Sequence, residues 1–222
     1  MIGRTIQRIR TPPVKDDLDF DAVHGTDTRE IIKVYKLDSV SPSYIYSHGY
    51  DACDIVRLRR DLSYPMIERE HYEFIDIGCG KGRALIFAAE MGFGKVTGVE
   101  ISPMLSEIAS RNLKVCGITG TVVTQDAGEF AIPDDPCVCY LYDPFGKRVM
   151  KNFAENVAKR VQRSGNDLWV VYRGPLYSEV LEDCKGLKMF EQTFDTAFYR
   201  SRTLTTPPAS TVAGGRALPN VL

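Results

Sequence analysis

Residues 73–83 read Glu-Phe-Ile-Asp-Ile-Gly-Cys-Gly-Lys-Gly-Arg. Phe74, Ile75 and Ile77 form a short apolar run of the kind a buried parallel strand uses. Gly78, Gly80 and Gly82 strip side chains from the turn that follows, and Leu85, Ile86, Ala88 and Ala89 open a helix with a small apolar face. Glycine tolerates positive φ and lets a ligand approach the backbone, while the first turn of a helix carries free N–H groups. Strand, turn and helix together predict a nucleotide-type binding crossing.

The spacing decides among nucleotide ligands. A phosphate loop needs G-x-x-x-x-G-K-[ST], and no Gly-Lys-Ser/Thr occurs. A dinucleotide site needs a glycine at position 83, which is Arg83. The pattern here is G-x-G-x-G, with Asp76 two residues before its first glycine. A carboxylate there repels a pyrophosphate but suits the ammonium group of an amino-acid ligand. A second apolar strand, 95–100, ends in Gly98-Val99-Glu100, which puts an acid where it can accept both hydroxyls of a ribose. An amino-acid end and a ribose end without phosphate describe S-adenosylmethionine (SAM).

Phe-Ile-Asp-Ile-Gly-Cys-Gly-Lys-Gly (74–82), followed by Val-Thr-Gly-Val-Glu-Ile-Ser-Pro (96–103), resembles the first two motifs of class I SAM-dependent methyltransferases. The resemblance implies that Asp76 and the turn Gly78, Cys79, Gly80 and Gly82 hold the amino-acid end, and that Glu100 and Ile101 hold the ribose. It also sets Asp126 and Ala127, at the end of a third strand, against the adenine amino group; Met104, four residues after Glu100, is close enough to reach an adenine face, and Tyr142 is a further cofactor candidate. Asp126 also reads as a cap for the following turn. His-Gly-Thr-Asp-Thr (24–28) resembles an N-terminal element of small bacterial methyltransferases that lies over the cofactor, which makes Thr26 a cofactor candidate. An ordinary turn or helix cap is the other reading of Thr26, Asp27 and Thr28.

The rest of the chain alternates strand and helix. Strands are expected at 74–77, 95–100, 120–124, 137–142 and 168–172, helices at 82–91, 103–115, 149–161 and 177–184, and a closing antiparallel pair at 189–194 and 197–205. This predicts an α/β fold, a doubly wound, mostly parallel seven-stranded sheet with helices on both faces and ligands at the carboxyl ends of the strands. Residues 1–19 read as a flexible arm, 20–73 as a lid with a helix at 51–62, 74–205 as the cofactor core and 206–222 as a disordered tail.

The fourth strand runs into Tyr142-Asp143-Pro144-Phe145, which resembles the [Asn/Asp]-Pro-Pro-[Tyr/Phe] motif of amino-group methyltransferases with one proline missing. In that motif the polar side chain and the prolyl-linked carbonyl accept the hydrogens of an NH₂ group and the aromatic ring packs on the acceptor. The matching catalytic candidates are Asp143, Pro144 and Phe145. Asp143 can equally serve the cofactor or cap a turn. A hydroxyl acceptor would instead call for a general base, with His24 and His48 as the N-terminal candidates. Tyr44, Tyr46, His48, Tyr172 and Arg173 are candidates for the acceptor pocket.

Composition bounds the partners. The 222 residues are 44% hydrophobic and 26% charged, enough for one domain with a sizeable core. A net charge of −1 gives no overall attraction for nucleic acid, although Arg4, Arg8 and Arg10 make the first ten residues locally basic. No apolar run approaches the roughly 20 residues that span a bilayer. Six cysteines without C-x-x-C pairs predict reduced thiols, no metal site and a cytoplasmic protein. The expected reaction is SAM-dependent methylation of a nitrogen in a small molecule or protein side chain, leaving S-adenosylhomocysteine (SAH), with nucleic acid and membrane not expected as partners. Methylation of RNA or of a ribosomal or chromatin-like protein, a SAM-binding module without transfer activity, and aminopropyl transfer from decarboxylated SAM are the alternatives.

Overall fold

The computed structural model describes residues 20–201. The expected arm at 1–19, the tail at 206–222, the basic cluster Arg4, Arg8 and Arg10, and the last residues of the closing strand lie outside the described residues. Strand β1 (Glu73–Ile77) is buried at every position because it lies between two parallel neighbours, β2 (Lys95–Glu100) and β4 (Cys137–Tyr142). With β3 (Thr121–Thr124), β5 (Leu168–Arg173), β6 (Leu187–Gln192) and β7 (Thr196–Ser201) the sheet has seven strands in the order β3-β2-β1-β4-β5-β7-β6. The pairs from β3 to β5 are parallel, and β7 runs antiparallel to both β5 and β6. The order reverses between β1 and β4, where open α/β sheets leave a crevice at the carboxyl ends of the strands.

The helices are α1 (Phe20–His24), α2 (Ile55–Ser63), α3 (Arg83–Glu90), α4 (Pro103–Val115), α5 (Lys147–Arg163) and α6 (Ser178–Glu182). On one face of the sheet Phe74, Val138 and Trp169 pack with Leu58 of α2 and Phe87 of α3. On the other face Ile75, Cys139 and Val170 pack with Phe153 and Val157 of α5. Each large apolar side chain buried this way contributes about 1.5–3 kcal/mol. Cys137 and Cys139 are core thiols, 0% exposed.

Local capping sets two of the helix starts, one of them away from its expected residue. Asp54 accepts a hydrogen bond from the backbone N–H of Arg57, so α2 begins at Ile55 rather than Asp51. Ser102 caps α4 through the N–H of Leu105, with Pro103 in the first helical position as expected. Between Val34 and Tyr46 the chain makes two short 3₁₀ turns, one of them carrying Tyr44 and Tyr46. No helix among the described residues is long and apolar enough to cross a membrane.

Candidate active site

At the sheet's switch point a cavity of about 330 Å³ lies between the glycine turn, the ends of β2, β3 and β4, and a strap formed by residues 37–50. The strap is pinned at three strand ends. The N–H of Val40 donates to the Ile101 carbonyl at 3.1 Å after β2, and the Ser41 hydroxyl donates to Asp126 Oδ2 at 2.7 Å after β3. Beyond β4 the N–H of Gly146 donates to the Tyr46 carbonyl at 2.7 Å, and Ser47 bridges Phe145.

The carboxyl groups inside the cavity differ in what they meet. Glu100 accepts the N–H of Gly80 at 2.8 Å and of Ser102 at 2.9 Å, one on each oxygen. Burial pushes its carboxyl above the ordinary range, and those backbone donors oppose the push. Each oxygen keeps a lone pair, so two ligand hydroxyls fit. Asp76 is 5% exposed and accepts no hydrogen bond among the described residues. Burial, together with the nearby Glu100 charge, pushes it up to about 8. A buried carboxyl without a donor is what an ammonium group fits. Asp126 holds the N–H of Gly128 at 2.8 Å with one oxygen and Ser41 with the other.

The turn's three glycines sit at φ +87°, +53° and +83°, and each faces a protein neighbour. A Cβ on Gly78 would lie 2.7 Å from Pro144 Cβ, one on Gly80 would run into the Tyr50 ring, and one on Gly82 would lie 3.1 Å from Ala109 Cβ. Gly82 therefore serves the packing of α3 on α4 and is not part of the cavity lining. The close approach that the sequence suggested for a ligand is made by protein side chains.

Just after β4, Asp143 has φ +35°, the only positive φ outside glycine among the described residues. A non-glycine residue in that region costs about 1–3 kcal/mol, which the surroundings must supply. Its N–H donates to the Arg173 carbonyl at 3.0 Å. His48 Nδ1 lies 2.9 Å from the Asp143 carbonyl oxygen and 3.4 Å from Oδ2, so it is the protonated ring nitrogen facing two acceptors. Oδ1 is buried without a partner. Burial raises the Asp143 pKa and His48 works against the rise.

Asp76, Gly78, Cys79, Gly80, Glu100, Ile101, Asp126, Ala127 and Tyr142 line this cavity, as do Asp143, Pro144, Phe145 and His48. Several expected residues do not. Thr26 donates to Asp21, next to Thr28, whose hydroxyl takes the Arg83 Nε–H at 2.7 Å, and Asp27 pairs with Lys81 at 2.9 Å. The 24–28 segment thus clamps the back of the glycine turn and does not lie over the cavity. Met104 follows the cap, where Asp38 accepts its N–H at 3.1 Å, and its side chain stays off the cavity wall. Tyr44 faces outward, 41% exposed, and Tyr46 packs on the core beneath Arg148. Tyr172 is fully buried, and Arg173 is held by Asp61 and Asp195 at 2.7 and 2.8 Å. His24 lies under α3, bonded to the Phe20 carbonyl and to Glu90, far from any base role in the cavity.

Sequence reasoning missed Tyr50, whose ring covers Gly80 and whose hydroxyl donates to the Thr28 carbonyl, and Tyr140, which looks like plain strand in an apolar run. Asp51 and Ser47 also reach the lining. The Tyr46-Ser47-His48-Gly49-Tyr50 alternation was the available signal for the strap, since alternate residues of an extended chain share a face.

Residues 74–165 match the family model described as a methyltransferase domain. Solved structures with this fold include a candidate RNA methyltransferase from Pyrococcus horikoshii, at 17% identity and TM-score 0.55 over 78% of this chain and 94% of that one. A protein assigned as an N6-adenine-specific DNA methylase from Listeria monocytogenes aligns at 16% identity and TM-score 0.54, over 69% of this chain and 52% of that one. The 16S rRNA N2 G1207 methyltransferase of T. thermophilus, in complex with AdoMet and guanosine, aligns at 18% identity and TM-score 0.50 over 76% and 45%. The chain spans about half the length of the Listeria and T. thermophilus proteins. Among curated protein sequences none matches significantly. Residues 74–165 thus match a methyltransferase domain, and the sheet that carries them has the fold of these solved methyltransferases.

Proposed function

We propose that the protein transfers the methyl group of SAM to a nitrogen of a small molecule or a protein side chain. The observation that carries this reading is Asp143, held in a left-handed conformation at the rim of the Asp76–Glu100–Asp126 cavity with one carboxylate oxygen buried and unpaired. An N–H donor is the group that completes it. Asp76 and the 78–80 turn take the amino-acid end, Glu100 and Ile101 the ribose, and Asp126 with Ala127 the adenine. The 74–205 segment acts as the cofactor core and 20–73 as its cap.

Bound SAM supplies an electrophilic methyl group on a sulfonium. The chain's task is to hold the acceptor nitrogen about 3–3.5 Å from that carbon, in line with the breaking bond. Asp143 accepts an acceptor N–H, turning the nitrogen lone pair toward the cofactor, and its charge balances the cation that develops on nitrogen. The proton leaves to Asp143 or solvent. Pro144 packs on Gly78, which ties the acceptor motif to the cofactor turn. Phe145, 5% exposed, walls the acceptor side.

A nucleic-acid acceptor is the reading to test against. Asp51 and Asp143 at the mouth, with a net charge of −1, favour an amine over a polyanion. The experiment is a calorimetric titration with SAH, then a screen of amines, peptides and single-stranded RNA for SAM-dependent SAH release. Micromolar SAH binding with release on amines, abolished in Asp143→Ala, is expected. Release on RNA alone, or an Asp143→Ala variant with full turnover, would sink the amine reading. Binding without release on any acceptor would favour a SAM-binding module.

A further inference from the structure

A hydroxyl without a partner shares a sheet face with the carboxyl proposed to take the cofactor's amino-acid end. Tyr140 in β4 is the Cα partner of Asp76 in β1. Phe74 and Asp76 are two residues apart in one strand and project to the same face of the sheet. The Tyr140 ring stands 6.0 Å from the Phe74 ring, so the phenol and the carboxyl share that face. Tyr140 is 1% exposed, and its hydroxyl meets no partner among the described residues.

A phenylalanine would fill this place equally well if packing were all it had to do, because a buried hydroxyl left unpaired costs free energy. Glu100 from β2 and Cys79 from the turn are the titratable groups near Asp76, and the Tyr140 phenol faces Cys53, Asp61 and Arg173 as well as Asp76. Burial and the Glu100 charge keep the Asp76 carboxyl largely protonated at neutral pH. Burial also holds the phenol far above its ordinary range, so it stays a neutral donor.

We infer that Tyr140 is a positioning residue for Asp76: when a ligand ammonium group draws Asp76 into its ionised form, the Tyr140 hydroxyl donates to the carboxylate and steadies it toward the cavity. The carboxyl proton passes to solvent, the ammonium keeps its own, and the orphan hydroxyl gains its partner. This rests on the proposal that the cavity takes SAM. It predicts a contribution confined to the amino-acid end of the ligand, with none to the nucleoside.

The test is calorimetry on the full chain with SAH and with 5′-methylthioadenosine, which keeps the nucleoside and thioether and lacks the amino-acid arm. Tyr140→Phe should weaken SAH by about tenfold or more, the loss of one hydrogen bond to a charged group. It should leave 5′-methylthioadenosine within about twofold, and the ligand-free thermal midpoint unchanged or higher. In an Asp76→Asn background the same substitution should change SAH affinity no further. Unchanged SAH affinity in Tyr140→Phe, or equal loss for both ligands, overturns the inference. A wild-type protein that binds neither ligand overturns the cofactor reading, and this inference with it.

Discussion

At pH 7 the protein carries Asp76 mostly as the neutral acid, because burial and Glu100 push its pKa up to about 8. The unfolded chain releases that proton near pH 4. The folded state therefore binds more protons between these values, and stability falls as pH rises from about 4 through about 8. Asp76→Asn removes the titration. Thermal melts of the ligand-free variant should match wild type near pH 4 and exceed it by a few degrees at pH 8, with SAH affinity down about tenfold or more. A variant no more stable than wild type at pH 8 would mean that the carboxyl is already compensated. His48 allows a second test at this scale. Asparagine carries an N–H near the place of Nδ1 but cannot titrate. If His48 orients Asp143, His48→Asn should retain most of the turnover and His48→Ala should lose about tenfold, each with SAH affinity unchanged. A general base would fail in both variants.

The glycine turn and the strap form a single mechanical unit at the scale of elements. Tyr50 lies where a side chain on Gly80 would stand, and Pro144 lies where one on Gly78 would stand. Gly80→Ala should cost about 2–4 kcal/mol in urea unfolding, since it combines a positive φ with overpacking. Adding Tyr50→Ala should make the double variant less unstable than the sum of the two single variants, because the clash partner is gone. The turn was legible in the sequence because its φ values demand glycine whatever lies against them. What lies against them was not legible, since Tyr50 is thirty residues upstream of Gly80 and nothing local marks the pairing. β2 and β4 fell at the expected residues because their apolar runs end in charged or turn-forming groups. The shortened α6 depends on how Tyr177 enters it, with φ −121° and ψ 43°, and no residue pattern announces that.

At the scale of the molecule, a buried ion-pair network ties the cap to the far end of the sheet. Asp61 of α2, 0% exposed, accepts from Arg173 of β5 at 2.7 Å, from Arg60 at 3.1 Å and from Thr196 of β7 at 3.2 Å. Removing one member leaves charge stranded in the core, so Asp61→Ala should cost about 3–5 kcal/mol in denaturant unfolding. SAH affinity of the folded variant should stay within about twofold, because none of these groups lines the cavity. A selective loss of affinity would return Arg173 to the site. The pattern of apolar runs, glycines and helix caps was enough to define the sheet, its crossings and the carboxylates at the strand ends, because each depends on backbone conformation and burial within a few residues. Which of those groups meet was decided by tertiary packing. Arg173 went to Asp61, Asp27 went to Lys81, and His48 went to Asp143, 95 residues away. A side chain's partner depends on which strand ends the sheet order brings together, and that order is a property of the folded chain as a whole.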